Sequence, residues 1–424
     1  MSVRSVTVPG DKSITHRALL LGALATGTNR VANVLTGADA HASAVAVRAL
    51  GCEVPSLDDR PLTFTGSGLH GLTAPRRPLD CANSGTTARL LLGILAGFDF
   101  RAVLTGDASL RGRPMRRVTE PLTRMGAEFR ELGAPDRLPL EVLGGRLEPL
   151  AHASPFASAQ VKSALLLAGL TGGARVTVTE PHRSRDHTER MLSAMGAAVT
   201  AERLHDGSAR VTVEPGETLE PLELRVPGDF SSAAFFIALG LLGDVPVRID
   251  RVGINPTRTG LLPVLHRMGA RIELEDAADE GGEPVADVIA YPSRLTATDV
   301  APAEIPTMID EVPILAVLAG RAEGETRITG ASELRVKESD RLAALASNLQ
   351  TLGTRAEELP DGLVIEGSDA PRSGLVQVHH DHRIAMAFGI LAALPGNAIT
   401  VDDPASTDVS FPGFWQLLRA PAAP

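Results

Sequence analysis

The chain has 424 residues, 44% hydrophobic and 22% charged, with a formal net charge of −10; that length allows two domains with substantial cores, and that balance excludes wholesale disorder. The acidic sum argues against nonspecific binding of nucleic acid or anionic membrane, and stretches such as ALLLAGL at 164–170 fall far short of the roughly 18 residues that span a bilayer. Cys52 and Cys81 give no CxxC spacing and no disulfide framework, and MSVRSVTVPGDK lacks the apolar core of a secretion signal, so a soluble, cytoplasmic protein without a metal site is expected.

In chain order, six segments begin with a small polar capping residue and run into an apolar helix. They are SITHRALLLGAL from Ser13, NSGTTARLLLGIL from Asn83, SAQVKSALLLAGL from Ser158, DFSSAAFFIALGLL from Asp229, DEVPILAVLAG from Asp310 and DHRIAMAFGILAAL from Asp381. A strand follows each: RVANVL at 30, RAVLTGDASL at 101, ARVTVTEP at 174, VPVRIDRVG at 245, TRITGASEL at 326 and AITVDDPAS at 398. Five units then carry a second helix with a glycine stop, in RALGCEV, TRMGAEF, SAMGAAV, HRMGARI and QTLGTRAE, while the sixth ends in FWQLLRA. The repeat predicts an α/β fold of two pseudo-threefold domains, built from six helix-strand-helix-strand units.

VPGDKS at 8–13 and VPGDFS at 226–231 mark where the chain passes between the domains. One domain is expected over 13–227, the other over 1–12 plus 228–424, with a hinge near 8–13 and 226–231. Helices that are apolar all round are buried. Their gathered N-termini carry partial positive charge and free N–H groups, so two such faces across a hinge suit anions.

The three lysines, Lys12, Lys162 and Lys337, stand out in a chain where arginine does every other cationic task. A lysine that resists such a bias serves where a compact ammonium is needed. Most chemistry-bearing residues lie at or just before the helix starts. Lys12, Ser13 and Arg17 begin the first, and the turn Asn83-Ser84-Gly85-Thr86 begins the second, its glycine allowing backbone N–H groups close to a ligand. GDASLRGRPMRR places Arg113 before Pro114, which is expected to start a helix, with Arg111, Arg116 and Arg117 as solvated surface. Ser158, Gln160 and Lys162 follow, then SRDHTER, where Arg185, Asp186 and His187 suit a salt-bridged turn or a substrate contact equally. RVKESDR at 335–341 is read as helical, with Lys337 and Arg341 on one face beside Glu338. In HHDHR at 379–383, Arg383 suits a carboxylate or phosphate, and no second ligand pair supports a metal. Lys12, Arg17, Arg113, Lys337, Arg341 and Arg383 around Asp310 and Glu338 imply two anionic molecules and acid–base work. There is no Walker loop, dinucleotide fingerprint or activated cysteine.

Taken together, VPGDKSITHRALLLGAL, NSGTTARLL, GDASLRGRPM, SAQVKSALLLAGL, VPGDFSSAAFF, NPTRTG, IDEVPILAV, RVKESDRL and DHRIAMAF resemble the 5-enolpyruvylshikimate-3-phosphate synthase family of enolpyruvyl transferases, in its order and over nearly the whole chain. The resemblance implies two inside-out, barrel-like α/β domains that close like a clamp over a central cleft. It implies transfer of the enolpyruvyl group of phosphoenolpyruvate to the 5-hydroxyl of shikimate 3-phosphate, by a cytoplasmic monomer without a cofactor. Carried over by position, Lys12, Ser13, Arg17, Ser158, Ala159, Gln160, Arg185, Asp310 and Lys337 would hold shikimate 3-phosphate. Lys12, Gly85, Arg113, Gln160, Arg341 and Arg383 would hold phosphoenolpyruvate. Asp310 would be the base, Glu338 the proton donor, and Lys12 would assist.

Three departures stand out. Ala82 replaces a common glycine, Ala159 replaces a serine, and Val409 stands where some members place a lysine on phosphoenolpyruvate. Gly85 leaves room for glyphosate. Two rivals are a UDP-N-acetylglucosamine enolpyruvyltransferase, which would show a cysteine within 106–117, and an inactive anion-binding scaffold. The intact Lys12, Asp310, Lys337, Glu338 and Arg341 set speaks against the scaffold.

Overall fold

A computed structural model describes residues 3–58 and 60–420. Met1, Ser2 and residues 421–424, expected in the second domain, and Asp59, expected in the first, lie outside the described residues. The six apolar segments form the helices Lys12–Leu24, Gly85–Leu95, Ala159–Thr171, Phe230–Leu242, Val312–Ala319 and His382–Ala393. Burial on all sides removes water from their first turns, so the leading N–H groups need acceptors from the protein itself. Asp11, Ser84, Ser158, Asp229 and Asp381 supply side-chain oxygens to them.

Three of the six caps differ from expectation. Asp11, not Ser13, accepts from the Ile14 N–H at 2.9 Å, and Ser84, not Asn83, accepts from the Thr87 N–H at 3.1 Å. A carboxylate or hydroxyl three residues before the donor reaches it directly, which leaves Lys12, Ser13 and Asn83 other work. Asp310 is not a cap either; it sits in a 3-10 turn, Ile309–Glu311, ahead of Val312–Ala319. The RVKESDR segment is not one helix. Asp340 accepts from the Ala343 N–H at 3.1 Å and so starts a new helix, Arg341–Thr351, after the turn Ser332–Val336. Helix Arg116–Arg124 likewise begins two residues beyond Pro114.

The strands following the six helices are Thr26–Ala32, Arg101–Thr105, Val176–Glu180, Val247–Gly253, Gly324–Ile328 and Ala398–Val401. Each pairs in parallel with a short strand: Glu223–Arg225, Leu79–Asp80, Leu150–Ala153, Arg4–Val6, Asp299–Val300 and Ser373–Val376, respectively. All but the last also pair antiparallel with a later strand, giving six separate open sheets among the described residues. The five glycine stops, Gly51, Gly126, Gly196, Gly269 and Gly353, all lie in the left-handed region.

The chain divides into two compact units. One comprises Gly10–Val226 with Glu280–Glu283; the other comprises the segment up to Pro9, Pro227–Asp279 and the chain from Pro284 on. Each has its own hydrophobic core. In the first, Glu280–Glu283 is tied in by Arg190 Nη1, which donates to Gly282 O at 2.7 Å. No helix among the described residues is long and apolar enough to cross a membrane.

Helices Gly85–Leu95 and Ala159–Thr171 approach backbone to backbone. A Cβ built on Gly93 would lie 2.1 Å from Ala164 O and 2.7 Å from its Cα. Gly93→Val therefore overpacks the first unit, and a loss of about 2–3 kcal/mol is expected in urea unfolding of the full chain. An unchanged midpoint would mean that the helices separate freely.

Candidate active site

In the first unit, the polar residues near the helix starts form one connected network. Lys12, at the first helical position, is ion-paired with Asp39. Arg17, one turn further and buried, donates to Thr188 Oγ1 at 2.6 Å, Ser163 Oγ at 2.9 Å and Ser13 O at 3.0 Å. These oxygens are neutral, and burial lowers the guanidinium pKa to about 10 despite Glu189 and Asp11 pulling it upward.

Beside it, His16 Nδ1 lies 2.8 Å from Ser43 Oγ, which lies 2.7 Å from Thr87 Oγ1, which donates to Ser84 Oγ at 2.8 Å. This hydroxyl chain joins the starts of helices Lys12–Leu24 and Gly85–Leu95.

Gly85, Arg113 and Gln160 come together around a residue the sequence reading passed over, Arg89. Its Nη1 donates to Gln160 Oε1 at 2.6 Å and its Nη2 to Pro114 O at 3.1 Å. Gln160 Nε2 in turn donates to Thr86 Oγ1 at 3.0 Å, and Arg113 Nη2 to Asn83 Oδ1 at 2.7 Å. A Cβ on Gly85 would stand 2.9 Å from Arg89 Nη1 and 3.4 Å from Arg113 Nη1, so the missing side chain leaves these guanidiniums their space. Arg89 lay in NSGTTARLL, four residues after Gly85, where helical spacing puts it on the same face. Ser158 and Ala159 begin the adjacent helix. Asp186 pairs with Arg183 and Arg190, which realises the salt-bridged-turn reading for that residue; Arg185 beside it is half-buried.

In the second unit, Asp310, Glu338, Arg341 and Arg383 come together. Asp310 Oδ1 lies 3.6 Å from Arg341 Nη1 and 3.7 Å from Arg383 Nε, and Oδ2 lies 4.0 Å from Arg258 Nη1. Arg341 donates from Nη2 to Glu338 Oε2 at 2.6 Å and from Nε to Asp381 Oδ2 at 2.8 Å. Burial alone would lower its pKa, but Asp381, Glu338 and Asp310 outweigh burial and raise it. The same contest holds Asp381 below its ordinary value: burial raises it, and Arg341 prevails.

Because the helix breaks at Asp340, Glu338 reaches Arg341 across a turn rather than along a helical face, and Lys337 stands half-buried at the end of the preceding 3-10 turn. Arg258, from NPTRTG, was assigned no role from sequence. It donates to Asp229 Oδ1 at 2.8 Å and Ser231 Oγ at 3.0 Å. Asp381 likewise turns out to be both a helix cap and the partner of Arg341. HHDHR carried that carboxylate in plain view, but its partner lies 40 residues away.

Cations gathered at the starts of buried helices in each unit, in the second beside Asp310 and Glu338, define an anion-handling enzyme of mixed α/β type. A family model for EPSP synthase (3-phosphoshikimate 1-carboxyvinyltransferase) matches residues 3–418. The 3-phosphoshikimate 1-carboxyvinyltransferase of Alkalilimnicola ehrlichii is 50% identical over 412 residues, 97% of this chain and 91% of its own. That of a Sulfurihydrogenibium species is 48% identical over 98% of this chain and 96% of its own. The structure of EPSP synthase from Acinetobacter baumannii aligns with a TM-score of 0.85 at 40% identity, over 98% of this chain and 95% of that one. An enolpyruvyl transferase from Streptomyces tendae, 20% identical with a TM-score of 0.76, shares the fold. The chain belongs to the EPSP synthase family, and it transfers the enolpyruvyl group of phosphoenolpyruvate to shikimate 3-phosphate.

The first-unit network has a pH signature. His16 is fully buried and its pKa is lowered to about 3, chiefly by burial, with Lys12 and Arg17 adding and Asp39 and Asp11 opposing. The unfolded chain therefore takes up this proton near pH 6.5, well before the folded one, so stability falls as pH drops through that window and levels off near 3. Between pH 6 and 4.5, His16→Gln is expected to flatten the slope of unfolding free energy by about 1.4 kcal/mol per pH unit. Parallel slopes for variant and wild type in urea titrations would assign the loss to other groups.

Proposed function

We propose that the residues named above divide the transfer between them as follows. Lys12, Ser13, Arg17, Ser158, Ala159, Gln160, Arg185, Asp310 and Lys337 hold shikimate 3-phosphate. Lys12, Gly85, Arg113, Gln160, Arg341 and Arg383 hold phosphoenolpyruvate. Asp310, Glu338 and Lys12 carry the proton transfers.

The reading is supported above all by one arrangement: Asp310 lies 3.6–3.7 Å from Arg341 and Arg383, while Glu338 is held on the same Arg341. A carboxylate within 4.0 Å of Arg341, Arg383 and Arg258 is placed to accept a proton from a hydroxyl that arrives beside these cations. An anion arriving at Arg341 competes with Glu338 for the guanidinium and leaves that carboxyl able to carry a proton. Glu338 then gives its proton to the methylene carbon of phosphoenolpyruvate, making C2 electrophilic. The 5-hydroxyl oxygen bonds to C2 as Asp310 takes its proton. A methyl proton returns to the Glu338 carboxylate as the C2–O bond to phosphate breaks, and the departing phosphate takes up the proton held by Asp310, which restores the double bond and both carboxyls. Fixed cations and exclusion of water favour the charge that builds on C2 and on the leaving phosphate.

On the same reading, the domains 13–227 and 1–12 plus 228–424 are pseudo-threefold and barrel-like, hinged near 8–13 and 226–231. They close like a clamp in a cytoplasmic monomer that needs neither metal nor cofactor.

Purified protein with phosphoenolpyruvate and shikimate 3-phosphate is expected to release phosphate. Release only with UDP-N-acetylglucosamine would select the rival transferase. Glu338→Gln is expected to lower kcat by about 10²–10⁴-fold with shikimate 3-phosphate affinity nearly unchanged; full turnover would remove Glu338 from the proton transfers.

A further inference from the structure

Of the three lysines, Lys162 has no place in the chemistry above, yet its side chain is 1% exposed inside the first unit. Its ammonium lies 2.7 Å from Glu189 Oε1 and 3.2 Å from Glu180 Oε2. Burial alone would lower its pKa, but the two carboxylates outweigh burial and raise it. The amine is thus a fixed cation, not a nucleophile. A buried ion cluster is an expensive way to fill a core.

The other repeats show that the fold has no need of it. Four residues after the cap, where Lys162 follows Ser158, the other core helices carry Thr15, Ala88, Ala233, Leu315 and Ala385. Glu180 ends its strand, and the equivalent strands end in Ala32, Thr105, Gly253, Ile328 and Val401. The lysine and its carboxylate belong to one repeat only.

Glu180 also reaches two pieces of the proposed site. Its Oε1 accepts from the Ser158 N–H at 2.7 Å, and its Oε2 accepts from Ser184 Oγ at 2.7 Å. Ser158 precedes Ala159 and Gln160, and Ser184 precedes Arg185. Glu189 neighbours Thr188, whose hydroxyl receives Arg17 Nε at 2.6 Å. One buried carboxylate therefore sets the backbone at Ser158 and the loop carrying Arg185. Lys162 anchors that carboxylate to the helix bearing Thr188.

We propose that Glu180, locked by Lys162, is a positioning residue for the shikimate 3-phosphate half of the site, fixing the backbone at Ser158 and the loop of Arg185, while Gln160, which serves both substrates, is held separately by Arg89 and Thr86. The proposal rests on the assignment of Ser158 and Arg185 to shikimate 3-phosphate. It predicts an effect on one substrate and not on the other, which loss of stability alone does not give.

The test is steady-state kinetics of the full chain with each substrate varied in turn. Glu180→Gln keeps the size and an acceptor for the Ser158 N–H but removes the charge facing Lys162. It is expected to raise KM for shikimate 3-phosphate about tenfold or more, with KM for phosphoenolpyruvate within about twofold. Glu189→Gln also weakens the hold on Lys162 but does not touch Ser158, and is expected to raise the same KM less than about threefold. Should Glu180→Gln fail to fold, the combined Lys162→Met, Glu180→Gln and Glu189→Gln variant removes the buried charges together, and the same split between the two KM values is expected. An unchanged KM for shikimate 3-phosphate in the folded variant, or equal rises in both KM values, would overturn the proposal. Wild-type enzyme that turns over normally while Ser158→Ala and Arg185→Ala leave that KM unchanged would instead overturn the underlying site assignment, and this proposal with it.

Discussion

A helix that is apolar on every side buries its own first turn, and the leading N–H groups must then find acceptors inside the protein. Most of the site's placement follows from that constraint. Asp11, Ser84, Ser158, Asp229 and Asp381 meet it, each within the chain's own turn. Once the cap is fixed, the next residues are held at a polar edge on an otherwise buried helix. Lys12, Gly85 and Gln160 occupy such positions, and Arg17 and Arg89 lie one turn further on. The helix start is thus both a structural obligation and a place where polar side chains are tolerated.

Burial lowers the pKa of both central arginines, and their partners decide the outcome in opposite ways. Arg17 is held by two hydroxyls and a carbonyl, and burial lowers its pKa to about 10. Arg341 faces Asp381, Glu338 and Asp310, and its pKa rises. On the proposed reading, an anion arriving at Arg17 relieves part of that unfavourable charge burial. Arg341 offers no such reserve, because carboxylates already surround it. Arg341 holds Glu338 and Asp381, and on the proposed reading it releases Glu338 in exchange for an arriving anion.

Local features were legible in the sequence because they depend on neighbours within a few residues. The apolar runs, the strands after them and the left-handed stops at Gly51, Gly126, Gly196, Gly269 and Gly353 are of this kind. Caps were harder to place, since Asp11 and Ser13 are both good capping residues two positions apart, and only backbone geometry selects between them. RVKESDR was misread because its i,i+4 charges suit a helix, while Asp340 stops one by capping the next. Long-range partners were out of reach: nothing local says that Arg341 meets Asp381, or that Ser158 meets Glu180.

The duplicated VPGD turn shows how far one backbone solution can serve two ends. Asp11 and Asp229 cap their helices alike, accepting from Ile14 and Ser231 N–H groups at 2.9 and 3.0 Å. The residue after each cap then diverges. Phe230 is 1% exposed and packs into the hydrophobic core of its unit, whereas Lys12 stays partly exposed and paired with Asp39. A phenylalanine there adds apolar burial to the second unit, a gain of about 1.5–3 kcal/mol that a lysine forgoes. The first repeat gives up that stabilisation and holds a cation at a helix start, where the helix dipole disfavours positive charge. Charge placed against both burial and dipole is hard to explain by folding. On the proposed reading, that cation sits there to meet an anionic substrate.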